Sequence, residues 1–159
     1  MRGKRFHIFI ATGFGSGFSP FAPGTAGAIV AWLIWWALSF VCAPELLLWL
    51  TVALVLLFTA LGVWSSDALE PLWGKDPSRI VVDEMVGTWI ALLAVPFDGD
   101  YRYLYAVAAW ALFRLFDIFK PLGIRKMEAL KGGIGVMMDD ILAGVYSFVV
   151  LLAVRWWLG

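Results

Sequence analysis

TAGAIVAWLIWWALSFVCAPELLLWLTVALVLLFTALGVW, residues 25–64, contains two long apolar runs that are separated only by Pro44 and Glu45. A helix that crosses a membrane needs about 20 mostly apolar residues, with a range of roughly 17–25. The runs at 25–43 and 46–64 both meet that requirement. This stretch therefore predicts a tight hairpin of two membrane-spanning helices.

The composition of the whole chain agrees with a membrane location. Of its 159 residues 62% are hydrophobic, and the mean hydropathy is +0.87, whereas an ordinary soluble domain is about 45–50% apolar. A soluble fold of this size buries only about 70% of its unfolded surface, so it could not hide this many apolar side chains. The net charge is zero, which gives no bulk basic character for binding nucleic acid. Cys42 is the single cysteine, so an internal disulfide is excluded.

Three further apolar runs, at 80–97, 103–119 and 141–158, are candidate helices. We therefore expect an all-α fold in which residues 1–159 form one domain. It would be a polytopic membrane helical bundle with about five spanning or partly spanning helices. No cleaved signal peptide is expected, because the apolar part of the N-terminal segment is short and interrupted by glycines.

The distribution of Lys and Arg predicts the orientation of this bundle, since basic residues are enriched in cytoplasmic loops. Only Arg102 and Arg155 fall on the other side if the N-terminus is cytoplasmic. The ten on the cytoplasmic side are Arg2, Lys4, Arg5, Lys75, Arg79, Arg114, Lys120, Arg125, Lys126 and Lys131. A cytoplasmic N-terminus is therefore predicted, and every chemically interesting segment then faces the cytoplasm.

Five acids lie inside the predicted spans or at their edges, where a carboxylate costs up to roughly 2.5–3.5 kcal/mol. They are Asp83, Glu84, Asp117, Asp139 and Asp140. One interpretation is that the two acidic pairs cap the N-termini of helices. Two consecutive acids at each of two helix starts exceed that role, so the alternative is an ion-binding site.

Asp117 lies near the end of its predicted helix, where the helix dipole disfavours an anion. Arg114 and Lys120, three residues before and after it, lie beside it on the helix surface. Either the three form a charge ladder that neutralises itself, or the acid binds a metal ion while the cations bind phosphate. Oxygen ligands without a cluster of His and Cys favour Mg²⁺ over zinc.

Two glycine-rich segments, GFGSGFSPFAPGT at 13–25 and GGIG at 132–135, add candidate anion-binding backbone. The first also offers the hydroxyl groups of Ser16, Ser19 and Thr25, and a helix N-terminus can hold phosphate. Each segment is weak evidence alone, because loops between helices often contain glycine.

The sequence lacks the residues of several covalent phosphatase mechanisms. It has a single histidine, whereas phosphatases that form a phosphohistidine need two. Cys42 lacks the arginine of the C-x₅-R loop of cysteine phosphatases, and the DxDx(T/V) motif of phospho-aspartate enzymes does not occur. Covalent catalysis is therefore disfavoured, although a lone aspartate nucleophile stays open. Attack by water with the help of a metal ion is the favoured alternative.

Four segments together resemble, in order, the signature blocks of the phosphatidylglycerophosphatase A family. They are GFGSGFSPFAPGTAG (13–27), IVVDEMVGTWIAL (80–92), FRLFDIFKPLGI (113–124) and GGIGVMMDDILAGVYS (132–147). The resemblance implies a Mg²⁺-dependent lipid phosphatase of the bacterial inner membrane. Such an enzyme converts phosphatidylglycerophosphate to phosphatidylglycerol and phosphate in phospholipid biosynthesis. The family's acidic pairs fall on Asp83-Glu84 and Asp139-Asp140, and its FDxxKP block on Asp117 and Lys120. Leu122-Gly123 departs from the second proline that the family often has there, which bears on the shape of the loop.

These observations give one working hypothesis and two alternatives. All five acids are candidate metal ligands and catalytic residues, with one carboxylate outside the metal site acting as general base. The candidate phosphate-binding residues are Arg114, Lys120, Lys131, Ser16 and Thr25. The alternatives are a small ion-coupled transporter, and a non-catalytic membrane scaffold whose acids only cap helices. The sequence predicts no oligomeric state.

Overall fold

The computed structural model describes residues 2–96 and 98–159, and that part of the chain contains helices and no strand. Two 3₁₀ segments, Arg2–Lys4 and Ser16–Phe18, accompany seven α-helices. The α-helices are α1 (Arg5–Ala11), α2 (Pro23–Val41), α3 (Pro44–Trp73), α4 (Val82–Leu92), α5 (Arg102–Phe119), α6 (Ile124–Met127) and α7 (Gly132–Leu158). The all-α prediction is confirmed.

The predicted hairpin is formed by α2 and α3. Each helix has a proline at its first position, Pro23 and Pro44, where the missing backbone N–H costs nothing and the fixed φ suits a helix. The apolar pattern predicted an end for the second helix at residue 64, but α3 continues to Trp73. Gly74, with a φ of 81°, follows as its C-cap residue. The added segment, SSDALEPLW, is too polar to be recognised as membrane-spanning, although most of its residues are compatible with a helix.

The number of membrane spans is only partly settled. By length and composition α2, α3 and α7 are able to cross a membrane. The helix predicted over 80–97 is shorter: α4 has 11 residues, about 17 Å at 1.5 Å per residue, against a hydrocarbon core of about 30 Å. Phe97 lies outside the described residues. The helix predicted over 103–119 agrees with α5 within one residue. A count of five spans stays a prediction.

The last helix begins much earlier than its apolar run. A start at 141 was predicted, but α7 begins at Gly132, so GGIG forms its first turn and Asp139 and Asp140 lie in its third. The interpretation of this pair as an N-terminal cap is therefore wrong. Glycine is needed at Gly133 because a Cβ there would collide with the carbonyl group of Val63 on α3.

The short helix α4 is the centre of the bundle. All of its residues except Glu84 are buried, and it packs against α2, α3, α5 and α7. Trp89 donates an indole hydrogen bond to the carbonyl oxygen of Ala31, with 3.0 Å between the atoms. Gly87 of α4 lies against Gly144 of α7, where an added Cβ would be 2.6 Å from the Gly87 oxygen. Small residues of this kind allow two backbones to approach closely inside a membrane.

The starts of α2, α4 and α7 and the ends of α3 and α5 lie together at one end of the bundle, which we call the acidic end. At the opposite end Arg155 donates to the Ala94 carbonyl oxygen (2.7 Å) and Arg102 to that of Ser39 (3.1 Å). The prediction that the conspicuous polar segments share one end is therefore confirmed. Their cytoplasmic orientation, and that of the N-terminus, stay predictions.

We expect Gly144→Ala to force α4 and α7 apart, because the new methyl group has only rigid backbone to displace. Overpacking of this kind costs about 1–3 kcal/mol, so the unfolding temperature in detergent should fall. Val145→Ala is the matched control, because Val145 is the next residue of α7 and is 39% exposed on its outer face. An unfolding temperature equal to that of the control would contradict the close crossing.

Candidate active site

Three carboxylates from two helices meet at the acidic end. Asp83 and Glu84 belong to the first turn of α4 and Asp140 to α7, and one oxygen from each residue lies within 4.8 Å of the other two. Asp83 is 6% exposed and Asp140 is 2% exposed. We call these three residues the acid triad. The sequence nominated all three, but it did not show which of the five acids would be closest together.

Two oxygens at the acid triad have no hydrogen-bond partner although they are buried. They are Oδ1 of Asp83 and Oε2 of Glu84. Burying an ionised carboxylate costs several kcal/mol unless it is paired or coordinates a metal. Converging carboxylate oxygens are the ligands that Mg²⁺ prefers, commonly with water and substrate phosphate completing its coordination. The residues present therefore fit a divalent hard cation.

Asp117 lies beside the acid triad and is paired with Arg114. The Arg114 guanidinium donates to Asp117 Oδ2 across one turn of α5, and the charge of Asp117 acts on both Glu84 and Asp140. The Nε atom of Arg114 is buried without a partner. Arg114 is therefore held by one acid and keeps a buried donor that has no acceptor.

Asp139 points to Lys120 and is not part of the acid triad. The Lys120 ammonium donates to Asp139 Oδ2 and to Glu128 Oε1, each at 2.6 Å. Lys120 ends α5 in a left-handed conformation with φ of 47°, which turns the chain back across the bundle. Burial acts to lower the Lys120 pKa, but the hydrogen bonds to Asp139 and Glu128 outweigh it and raise the pKa above its usual value. Lys120 is consequently a cation at neutral pH.

The predicted charge ladder is only half formed. Arg114 pairs with Asp117, but Lys120 pairs with acids from other segments. Among the described residues neither cation forms an ion pair with a member of the acid triad. These pairs therefore leave the three triad carboxylates without a neutralising partner, which again favours a bound divalent cation there.

The glycine-rich N-terminal segment contributes mainly by close packing. Gly17 and Gly27 have no room for a Cβ because Arg79 and Val81 lie against them. Val81 also donates its N–H to the Ala11 carbonyl oxygen at 2.8 Å. These contacts fix the segment that leads directly into Asp83.

The structure brings some predicted phosphate ligands to the acid triad and leaves others away from it. The Ser16 hydroxyl donates to the Gly13 carbonyl oxygen at 2.9 Å, inside its own loop. Lys131 precedes α7 and is exposed, and among the described residues it forms no ion pair. Thr25 follows Gly24 at the start of α2, next to the triad. Arg114 and Lys120 are therefore the cations that the fold places at the site.

Sequence reasoning missed three residues that organise this end. A Cβ on Gly24 would meet the Glu84 carboxylate, so a larger residue here would require the Glu84 side chain to move. Asp67 accepts a hydrogen bond from the Gly133 N–H at 2.6 Å and satisfies the start of α7. Glu128 is the second partner of Lys120. Of these three residues, Gly24 alone had a signal in the sequence, because it follows Pro23 just before the predicted start of a helix.

We expect Gly24→Ala to weaken cation binding, because the methyl group would displace the Glu84 carboxylate and lie 3.5 Å from Arg114 Nη1. Changes next to metal ligands typically reduce metal affinity about 10–100-fold. The Mg²⁺-dependent rise in unfolding temperature would report the affinity. Gly3→Ala is the control, since a Cβ at Gly3 has nothing within 4 Å. Equal Mg²⁺ affinities for the two variants would contradict the proposed contact.

Comparison with known proteins gives a consistent result. The model of the family described as phosphatidylglycerophosphatase A matches residues 9–155. A Bacteroides thetaiotaomicron protein named "Putative phosphatidylinositol-3-phosphatase" is 64% identical over 152 residues, covering 96% of this chain and 95% of that protein. Two proteins named phosphatidylglycerophosphatase A, from Haemophilus influenzae and Escherichia coli, are 38% and 36% identical over 155 residues. Each alignment covers 94% of this chain, with 88% and 85% of the respective relatives. No solved structure matches the chain.

Proposed function

The chain belongs to the phosphatidylglycerophosphatase A family and is a phosphoric monoester hydrolase; from that premise we propose that it hydrolyses phosphatidylglycerophosphate to phosphatidylglycerol and phosphate, with Mg²⁺ as cofactor. The observation that carries the proposal is the acid triad, which contains two unpartnered buried oxygens and has the Asp117–Arg114 pair beside it. The proposed setting is phospholipid biosynthesis in the bacterial inner membrane, with the acidic end facing the cytoplasm. Its support is the bacterial origin of the relatives and the asymmetry of Lys and Arg.

Asp83, Glu84 and Asp140 would hold the metal ion, with Asp117 and Asp139 beside them. When bound, Mg²⁺ supplies Lewis-acid polarisation of the phosphoryl group and lowers the pKa of a bound water. Arg114 is placed to bind phosphate oxygens through its remaining N–H donors, and Lys120 adds a nearby positive charge.

Asp117 is the proposed general base of the reaction. Its pairing with Arg114 holds it next to the phosphate that Arg114 would bind. Asp117 accepts a proton from the attacking water as the water oxygen bonds to phosphorus. The phosphorus–oxygen ester bond breaks, its electron pair stays on the glycerol oxygen, and that oxygen takes up a proton from solvent while Asp117 returns its proton to solvent. The products are the lipid alcohol and phosphate, with one water consumed.

The placement of the acids argues against the two alternative functions. In the described parts of α2, α3, α4, α5 and α7, no acid lies between the acidic end and the opposite end. A transported ion would therefore find no further carboxylate on those helices to bind on its way across the membrane. A scaffold with capping acids is disfavoured because Asp140 lies in the third turn of α7 and caps nothing. Membership of an enzyme family agrees with both arguments.

A phosphate on an inositol ring is a second candidate substrate, favoured by the name of the relative at 64% identity. Both lipids present a phosphate monoester to the same cluster of acids and cations. We expect a higher kcat/KM for phosphatidylglycerophosphate than for phosphatidylinositol 3-phosphate, measured as phosphate release from mixed micelles of equal lipid content. A preference for the inositol lipid would transfer the proposal to that substrate.

We expect Asp140→Asn to lower kcat at least about 100-fold, because it removes one charged ligand from the acid triad. Chelation of divalent cations should abolish wild-type activity, and Mg²⁺ should raise the unfolding temperature of the wild type but not of Asp140→Asn. Glu45→Gln is the control, since Glu45 is an exposed acid at the opposite end. A folded Asp140→Asn protein with near-normal Mg²⁺-dependent activity would refute the assignment.

A further inference from the structure

A wholly apolar groove runs between α2 and α5 on the outside of the bundle. Its volume is about 250 Å³, and it is lined by Ile29 and Trp32 from α2 and by Val107 and Trp110 from α5. Both helices pack mainly against other partners, α2 against α4 and α5 against α7, so a crevice stays open between them. None of the five acids or the two cations of the acidic end lines this groove.

Trp32, which lines the groove from α2, is held by a hydrogen bond and by stacking on a second tryptophan. The Trp32 indole N–H donates to the Ala106 carbonyl oxygen on α5 at 2.9 Å. The same ring stacks on Trp36, with 5.1 Å between the centroids and 13° between the planes. The hydrogen bond also ties α2 to α5 at this level. The position of the Trp32 ring relative to α5 is therefore fixed.

The groove lies between the same two helices that meet beside the candidate active site. Gly24 of α2 and Arg114 of α5 lie together at the acidic end, where a Cβ on Gly24 would be 3.5 Å from Arg114 Nη1. At 1.5 Å per helical residue, Trp110 is about 6 Å and Val107 about 10 Å farther along α5 than Arg114. Trp32 is correspondingly about 12 Å beyond Gly24. The groove thus begins about one helical turn below the site and extends toward the bilayer interior.

We propose that this groove binds one acyl chain of the lipid whose phosphate is held at the acid triad. The inference rests on the proposed function and adds to it a place for the apolar part of the substrate. In a phosphatidyl lipid the headgroup separates the terminal phosphate from the chains, so the chains lie one to two helical turns deeper than the phosphate. The depth and the apolar lining of the groove suit that part of the molecule.

The groove is expected to act through orientation more than through affinity. An acyl chain is already in an apolar solvent before it binds, so transfer into the groove has little hydrophobic driving force. Contact with fixed aromatic walls adds dispersion attraction, and restricting the chain limits the positions of the attached phosphate. Lipids that lack long chains should therefore lose this positioning.

Val107→Trp tests the proposal by filling the groove from α5. The substrates are dioleoyl phosphatidylglycerophosphate and its dibutyryl analogue, which has the same headgroup on four-carbon chains. We expect kcat/KM for the dioleoyl lipid to fall about tenfold more than for the dibutyryl lipid. Ala108→Trp is the matched control: Ala108 is the next residue of α5 and lines a separate pocket with Leu104, Leu151 and Val154 at the opposite end.

The outcomes separate failure of the groove from failure of the proposed function. A selective loss on the long-chain lipid in Val107→Trp, absent in Ala108→Trp, supports the groove. Equal behaviour of the two variants overturns it, and so does an equal loss on both lipids, which indicates a general disturbance of the fold. A wild-type protein that hydrolyses neither lipid overturns the proposed function and the groove together. Thermal unfolding of each variant shows whether an equal loss comes from lower stability.

Discussion

The convergence of three carboxylates, two of them on buried residues, is the constraint on which the rest of the structure depends. Asp83 and Glu84 lie in the first turn of α4, where the positive end of the helix dipole favours each by about 0.3–1 kcal/mol. That contribution is smaller than the several kcal/mol that burial of an ionised carboxylate costs. Asp140 lies in the third turn of α7, where the dipole contributes little. The helix dipoles alone therefore do not offset the burial of three ionised carboxylates, which is the reason that a bound cation is proposed.

The close crossing of α4 and α7 creates this cluster. Gly87 and Gly144 allow the two backbones to touch, and the acids lie on the same helices on the side of the crossing nearer the acidic end. One turn of α4 separates Glu84 from Gly87, and one turn of α7 separates Asp140 from Gly144. The spacing from glycine to acid is therefore matched on both helices. Packing at the crossing and geometry at the site are consequences of the same few residues.

Local patterns in the sequence predicted the hairpin, the five acids and the two cations, because each depends on neighbours along the chain. Apolar length defined α2, and an i,i+3 spacing defined the Arg114–Asp117 pair. The start of α7 was missed because an apolar run indicates the membrane-embedded part of a helix and not where the helix begins. The helix begins earlier, where Asp67 accepts a hydrogen bond from the Gly133 N–H. The partners of Lys120 were missed because they come from a turn and from another helix. Contacts of that kind leave no periodic signal in one sequence.

The two cations contribute to the site in different ways because of where the chain holds them. Arg114 lies inside α5, so its position is fixed by the helix and by its pairing with Asp117. Lys120 lies just beyond the end of α5, and its two acidic partners, Glu128 and Asp139, differ in exposure: the Glu128 side chain is 45% exposed and the Asp139 side chain 8%. An ion pair to an exposed acid is weak, so under the proposed function a phosphate would compete with Glu128 more easily than with Asp139. Arg114 would then be a preformed anchor, whereas Lys120 would exchange one partner for substrate while Asp139 keeps it next to the acid triad.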